Sequence, residues 1–258
     1  MNRLFFSLAL TALALAAPLA SGQDAKVQDV QTAMGTREQL IAHEGYTLSY
    51  NSGQRLPNWV AYEITKEKLA ERKAERASGL RMDPQASGAQ STVYDYEKAG
   101  NYDPAFLVSA DDMLWSKKAE EESTYLTTVC PMAHNLYDGT WFDLEMMCRK
   151  WAEKYGPLYV VSGPLFVDGV AVQQTIGDNK LLVPHAFFKV VAQKRGSKWC
   201  AAGFIFTNTN HANHSLTEAA KSVRIVELLT GHDFFWRLPQ DVQDSMELNY
   251  VASDWTLK

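Results

Sequence analysis

The chain is short of the features that announce a metal cluster, a nucleic-acid surface or a membrane protein. It has three cysteines, Cys130, Cys148 and Cys200, and no C-x-x-C pair, which argues against a structural zinc site. An odd count leaves one thiol over from any disulfide, and spacing alone selects no pair. Basic charge is not in excess: 25 Lys+Arg stand against 30 Asp+Glu, a formal charge of -5. The basic field usual in nucleic-acid binders is therefore missing, and only a local patch could replace it. Beyond the N-terminal segment no run is apolar enough to span a bilayer. No internal repeat or low-complexity tract is present.

What is present begins with MNRLFFSLALTALALAAPLASGQ. Arg3 supplies a positive start, Leu4 to Ala17 an apolar run, and Ala20-Ser21-Gly22 a small-residue cleavage motif. This reads as a signal peptide over residues 1–22, cut before Gln23. An uncleaved anchor is the alternative, but the run is shorter than the ~20 residues that span a bilayer. The expectation is a secreted or periplasmic protein with no membrane partner, whose residues 23–258 form one domain with a full core.

Residues 24 to 45 are polar and mixed, and predict a loosely held segment with some helix. Tyr46 to Tyr50 and Asn58 to Ile64 alternate with period two around the turn signal Asn51-Ser52-Gly53, which predicts a hairpin. Thr65 to Arg76 mixes charges of both signs, as a solvated helix or loop does. Phe142 to Tyr155 is the clearest helix: Leu144, Met147, Cys148 and Trp151 share one side, and Gly156-Pro157 ends it. Leu158 to Ser162, Ala186 to Val191 and Ala201 to Thr207 predict strands. Ser222 to Leu229 predicts a helix stopped by Gly231. Without a regular βαβ alternation, the fold class is α+β, with a mainly antiparallel central sheet flanked by helices.

With these elements placed, ordered blocks stand out: Asn58-Trp59-Val60-Ala61-Tyr62-Glu63-Ile64-Thr65, Tyr102-Asp103 through Met113-Leu114-Trp115-Ser116, and Asn135-Leu136-Tyr137-Asp138-Gly139-Thr140-Trp141 with Leu144-Glu145. Leu158 to Pro164, Phe187 to Val191 and Glu227 to Gly231 follow. In this order and spacing the chain resembles the DNA/RNA non-specific endonucleases, the ββα-metal nucleases, over nearly the whole of residues 23–258. The resemblance implies that fold, phosphodiester hydrolysis of DNA and RNA, and one Mg²⁺ (or Mn²⁺). The family signature is Asp-Arg-Gly-His, followed downstream by Leu-Asn-x-Gly-x-Trp and then by an acid and an arginine on a helix. Asp103, Glu145 and Arg149 match the aspartate, the helix acid and the helix arginine. Pro104, Ala105 and Phe106 replace arginine, glycine and histidine. Tyr137 takes the metal asparagine's place, with Asn135 two residues away, and Thr128 stands for a further family asparagine.

These replacements bear on the chemistry. Family members use the histidine to activate water, and a phenyl ring has no lone pair; loss of a positioned base typically costs about 10²–10⁴-fold. A neutral phenol is a poor Mg²⁺ ligand, so Tyr137 reads as packing. Asn135 is a candidate metal contact or a turn residue before Asp138-Gly139. His134 is the candidate substitute base, or a loop histidine. Glu145 and Arg149, four apart, form either the remnant of the site or an i,i+4 ion pair. Asp111 and Asp112 read as helix N-terminal acids. His211 and His214 lie three apart in an asparagine-rich loop. Lys117-Lys118 and Arg149-Lys150 could form a basic rim for DNA or RNA, or be solvated surface. Three readings follow: a family member with an impaired site that can still bind nucleic acid, an active metal-dependent nuclease with substituted groups, and an interaction scaffold.

Overall fold

The computed structural model describes residues 29–167, 173–210 and 215–256. The N-terminal segment read as a signal peptide, and His211 and His214, lie outside the described residues. In chain order the elements that build the site are strands β1 (Gln39–Ala42), β2 (Tyr46–Asn51) and β3 (Leu56–Ile64), helix α1 (Lys66–Ala70), strand β4 (Tyr102–Phe106), helix α2 (Lys117–Ser123) and strand β5 (Val129–Ala133). Then come helix α3 (Phe142–Tyr155), strands β6 (Leu158–Leu165), β7 (Ala186–Arg195), β8 (Lys198–Thr207) and β9 (Ala220–Lys221), and helices α4 (Val223–Thr230) and α5 (Gln240–Glu247). The main sheet has seven strands in the order β9-β8-β7-β6-β3-β2-β1, and every pairing in it is antiparallel.

The predicted hairpin is β2–β3. Its turn is held by Asn51, whose side-chain oxygen accepts from the Gly53 and Gln54 N–H groups at 3.1 and 3.2 Å, the local bonding that makes asparagine a turn former. The entry segment departs from expectation: its described part forms β1 and a short strand, Val30–Gln31, paired with Asp233–Phe234. Pairing with distant strands, invisible to local composition, overrides the polar character there.

The sheet is covered on both faces. Val60, Tyr62, Val160, Phe187 and Phe204 point into the larger core under α3. Trp59, Ala61, Val161, Phe188 and Val190 point into a second core closed by Val223 and Val226 of α4 and Met246 of α5. Successive strand residues face opposite ways, so a central strand between two cores is apolar throughout. Trp141, Trp151, Phe234 and Phe235 pack these cores, whereas Trp236, for which its neighbours Phe234-Phe235 suggest the same role, is exposed. The three cysteines are all free and buried. Among the described residues no helix is long and apolar enough to cross a membrane.

Candidate active site

A smaller antiparallel pair, β4–β5, lies outside the main sheet and aligns Asp103 with Met132, Pro104 with Pro131 and Phe106 with Val129. After β5 a short helical turn, Leu136–Trp141, breaks at Gly139 and leads into α3. Along β4, Tyr102 and Asp103 line one cavity and Pro104 and Phe106 another.

The first cavity, about 520 Å³, is lined by Pro104 and Phe106 of β4, Tyr137 and Asp138 of the turn, and Phe142 and Glu145 of α3. Leu80, Arg76, Ser109 and Asp111 close it. Phe106, Tyr137 and Glu145 therefore share one cavity. The Tyr137 hydroxyl takes a backbone hydrogen bond from Phe106, and burial pushes its ionisation up to about 12, so it is a neutral phenol at ordinary pH. Arg76 forms a two-point ion pair with Asp111. Thr128 does not reach the cavity; it is buried and donates to the Tyr125 carbonyl at 2.9 Å. Ala105 faces the core.

Arg149 is turned inward. Its Nε donates to Asp112 Oδ1 at 2.7 Å and its Nη2 to Ser109 Oγ at 2.7 Å. Asp112 is an acid of the short helical turn Ala110–Asp112, as read from the sequence, and is also a buried ion-pair partner. Burial pushes its carboxyl up to about 6. Burial works against the Arg149 charge as well, but the Asp112 charge and hydrogen bond outweigh it and hold the guanidinium protonated. Glu145 lies 3.7 Å from Arg149 Nη2 and 3.7 Å from Lys189 Nζ. Lys189 is completely buried, with its ammonium 4.1 Å from the centre of the Trp141 ring. The Glu145–Arg149 pair exists, then, within an alternating network of Asp112, Arg149, Glu145 and Lys189.

Asp103 and His134 sit elsewhere. The His134 Nδ1 is 2.6 Å from Asp103 Oδ2, and its Nε2 is 3.7 Å from Asp138. The Asp103 hydrogen bond raises the imidazole above its ordinary value. Both line the second cavity, about 740 Å³, with Asn101, Asn135, Gln174 and Asn210. There Asn135 is committed to the neighbouring loop: its N–H donates to Asn210 Oδ1 at 2.8 Å and its side-chain amide to the Asn210 carbonyl at 3.0 Å.

Sequence reasoning missed Lys189 as a charge partner, although a lone lysine inside Phe-Phe-Lys-Val-Val was a visible signal. It missed Arg76 within the charged stretch. It found no role for His43, which is buried at 2.9 Å from Asp83 and 3.4 Å from Glu122. Those partners are 40 and 79 residues away, beyond any local pattern. Cys130 sits opposite Ala105 but is fully buried, and burial raises its thiol well above the ordinary range. It does not face the first cavity.

The family model for DNA/RNA non-specific endonucleases matches residues 23–241. The chain is 27% identical over 212 residues to the mitochondrial nuclease EXOG of Homo sapiens, covering 78% of this chain and 58% of that protein. It is 30% identical over 219 residues to mitochondrial nuclease 1 of Schizosaccharomyces pombe, covering 79% and 67%. Against the crystal structure of the EndoG/EndoGI complex the TM-score is 0.73 at 24% identity, with 79% of this chain and 88% of that one covered; that likeness concerns the fold. The chain belongs to the DNA/RNA non-specific endonuclease family and has its α+β, ββα-metal nuclease fold. It spans 58% of the length of EXOG of Homo sapiens and 61% of that of EXOG of Mus musculus, to which it is 26% identical over 228 residues.

The family suggests a divalent metal. The donors around the first cavity do not fit one: Phe106 offers none, Tyr137 is a neutral phenol, and Asp111 is engaged by Arg76, which leaves two lining carboxylates, Asp138 and Glu145. Among the described residues no group of three or more His, Cys, Asp or Glu could hold a metal.

Proposed function

We propose that this chain is an exported member of the endonuclease family in which hydrolysis by the family route is silent. The observation that carries this reading is the shared cavity of Phe106, Tyr137 and Glu145. A ring without a lone pair stands where water would be activated, and a neutral phenol stands where a hard cation needs carboxylate, amide or water oxygen. Arg149, spent on Asp112 and Ser109, is not free to meet a phosphate. Export rests on the N-terminal charge, apolar run and cleavage motif. Nucleic acid is the family's substrate; binding here would fall to Arg72 and Lys117, which line an exposed recess beside α2 together with Lys73, Glu75 and Glu120, rather than to Arg149. A rim built in this way would bind DNA or RNA with a strong salt dependence.

One observation favours a second reading, an active enzyme with a substituted base: the 2.6 Å His134–Asp103 pair is the geometry that orients an imidazole. The pair opens on the second cavity, however, away from Glu145.

The test is cleavage of supercoiled plasmid and RNA by residues 23–258 with Mg²⁺ or Mn²⁺, beside the variant Pro104→Arg/Ala105→Gly/Phe106→His/Tyr137→Asn. A silent native protein and a cleaving restored one are expected, a gain on the order of 10²-fold or more. Chelator-sensitive cleavage by the native protein that is lost in His134→Ala would replace this reading with the second.

A further inference from the structure

We propose that the first cavity is a binding site for a small organic cation: an ammonium, amidinium or guanidinium carried on a flat or aliphatic apolar body. The inference rests on the reading of this cavity as hydrolytically silent. Its volume, about 520 Å³, is that of a small-molecule site. Its walls are apolar: Phe106 and Pro104 from β4, Tyr137 from the turn, Phe142 at the mouth and Leu80 opposite. Phe142 is 44% exposed, an aromatic face open to whatever enters.

The charged groups lining the cavity are mainly acidic: Asp111, Asp138 and Glu145 stand against one cation, Arg76, which is paired with Asp111. Glu145 is the more telling. It is nine-tenths buried, it lines the cavity, and among the described residues its carboxylate accepts no hydrogen bond. Arg149 and Lys189 approach it from behind the wall, both at 3.7 Å, beyond hydrogen-bonding reach. They balance part of its charge without hydrogen-bonding its oxygens, which remain open to the cavity. A ligand bringing N–H donors would replace solvent at Glu145, and a positive one would make the stronger, charge-assisted bond. A phosphate, in contrast, would bring an anion against Glu145 and Asp138. Aromatic rings at the same site add attraction for a cation over their faces.

The experiment is titration calorimetry of the purified protein, in chelator and without nucleic acid, with three matched probes: benzamidine, neutral benzamide and anionic benzoate. A dinucleotide is the phosphodiester control. Benzamidine is expected to bind at least about tenfold tighter than the other three, a difference of about 1.4 kcal/mol. Glu145→Gln should erase that preference. Because Glu145 touches buried charges, a second variant guards against misfolding: Phe142→Ala, on the exposed rim, should weaken benzamidine about three- to tenfold with an unchanged melting temperature. Equal binding of benzamide, tighter binding of benzoate or dinucleotide, or no benzamidine binding overturns the proposal. Plasmid cleavage by a native protein that still binds benzamidine through Glu145 would overturn the silent reading alone. Absent benzamidine binding in a protein that does not cleave overturns this one alone.

Discussion

Arg149, which the resemblance reads as facing a phosphate, is turned inward onto Asp112 and Ser109. Its side chain is 13% exposed, and that of Asp112 is 1% exposed. Removing one partner of a buried pair leaves the other charge stranded, which costs about 3–5 kcal/mol. Arg149→Ala should therefore lower stability by that order, read as the urea midpoint, and Arg149→Ala/Asp112→Asn should recover at least half of the loss. If Arg149→Ala is as stable as the native chain but binds nucleic acid less well, the inward pairing is wrong and the rim reading returns. A second buried carboxylate gives a pH signature. Glu247 of α5 is completely buried, accepts from Arg224 at 3.1 Å, and is pushed up to about 8, by burial first and then by the charge of Glu227. The folded state holds this proton more tightly than the unfolded chain, whose glutamate titrates near 4.5. Stability from this group is therefore lost as pH rises between those two values. Glu247→Gln, which mimics the protonated acid, should match the native melting temperature near the lower value and exceed it by several degrees above the upper one. A pH-independent difference would refute the burial account.

At the scale of elements, legibility followed period and punctuation. Helix α3 was readable to its ends because its apolar residues repeat at helical spacing and Gly156 stops it; Gly231 likewise closes α4 in the left-handed region, with φ 70. The hairpin β2–β3 was readable from alternation around an asparagine-led turn. Val30–Gln31 and β1 were not, because their strand state comes from partners elsewhere in the chain. Within β6, Gly163 shows how tightly the strands must close: a Cβ there would meet the Asn58 carbonyl oxygen at 2.5 Å and the Phe188 ring at 2.5 Å. Gly163→Ala forces backbone and ring apart, so a loss of about 1–3 kcal/mol is expected. A melting temperature within a degree of native would show that β3 and β6 can part without cost.

For the whole molecule, the family and the α+β class were legible because ordered blocks across the chain carry them, several being strands between two cores or helices covering one. The site was half legible. Local motifs named Asp103, Phe106, Tyr137, Glu145 and Arg149 as positions. They could not tell that Asp103 would leave Phe106 and Glu145 for His134, since adjacent strand residues point to opposite sides and the side each faces is settled by what packs there. Nor could they tell that Arg149 would choose Asp112 over solvent, or that Lys189 would stand behind Glu145. The sequence by itself determined which donors residue type can offer: the Phe106 ring has no lone pair and Tyr137 carries a phenol. Only the tertiary structure decided which charges neutralise one another and which carboxylate is left facing an aromatic cavity, because those energies depend on distance and burial between residues far apart in the chain.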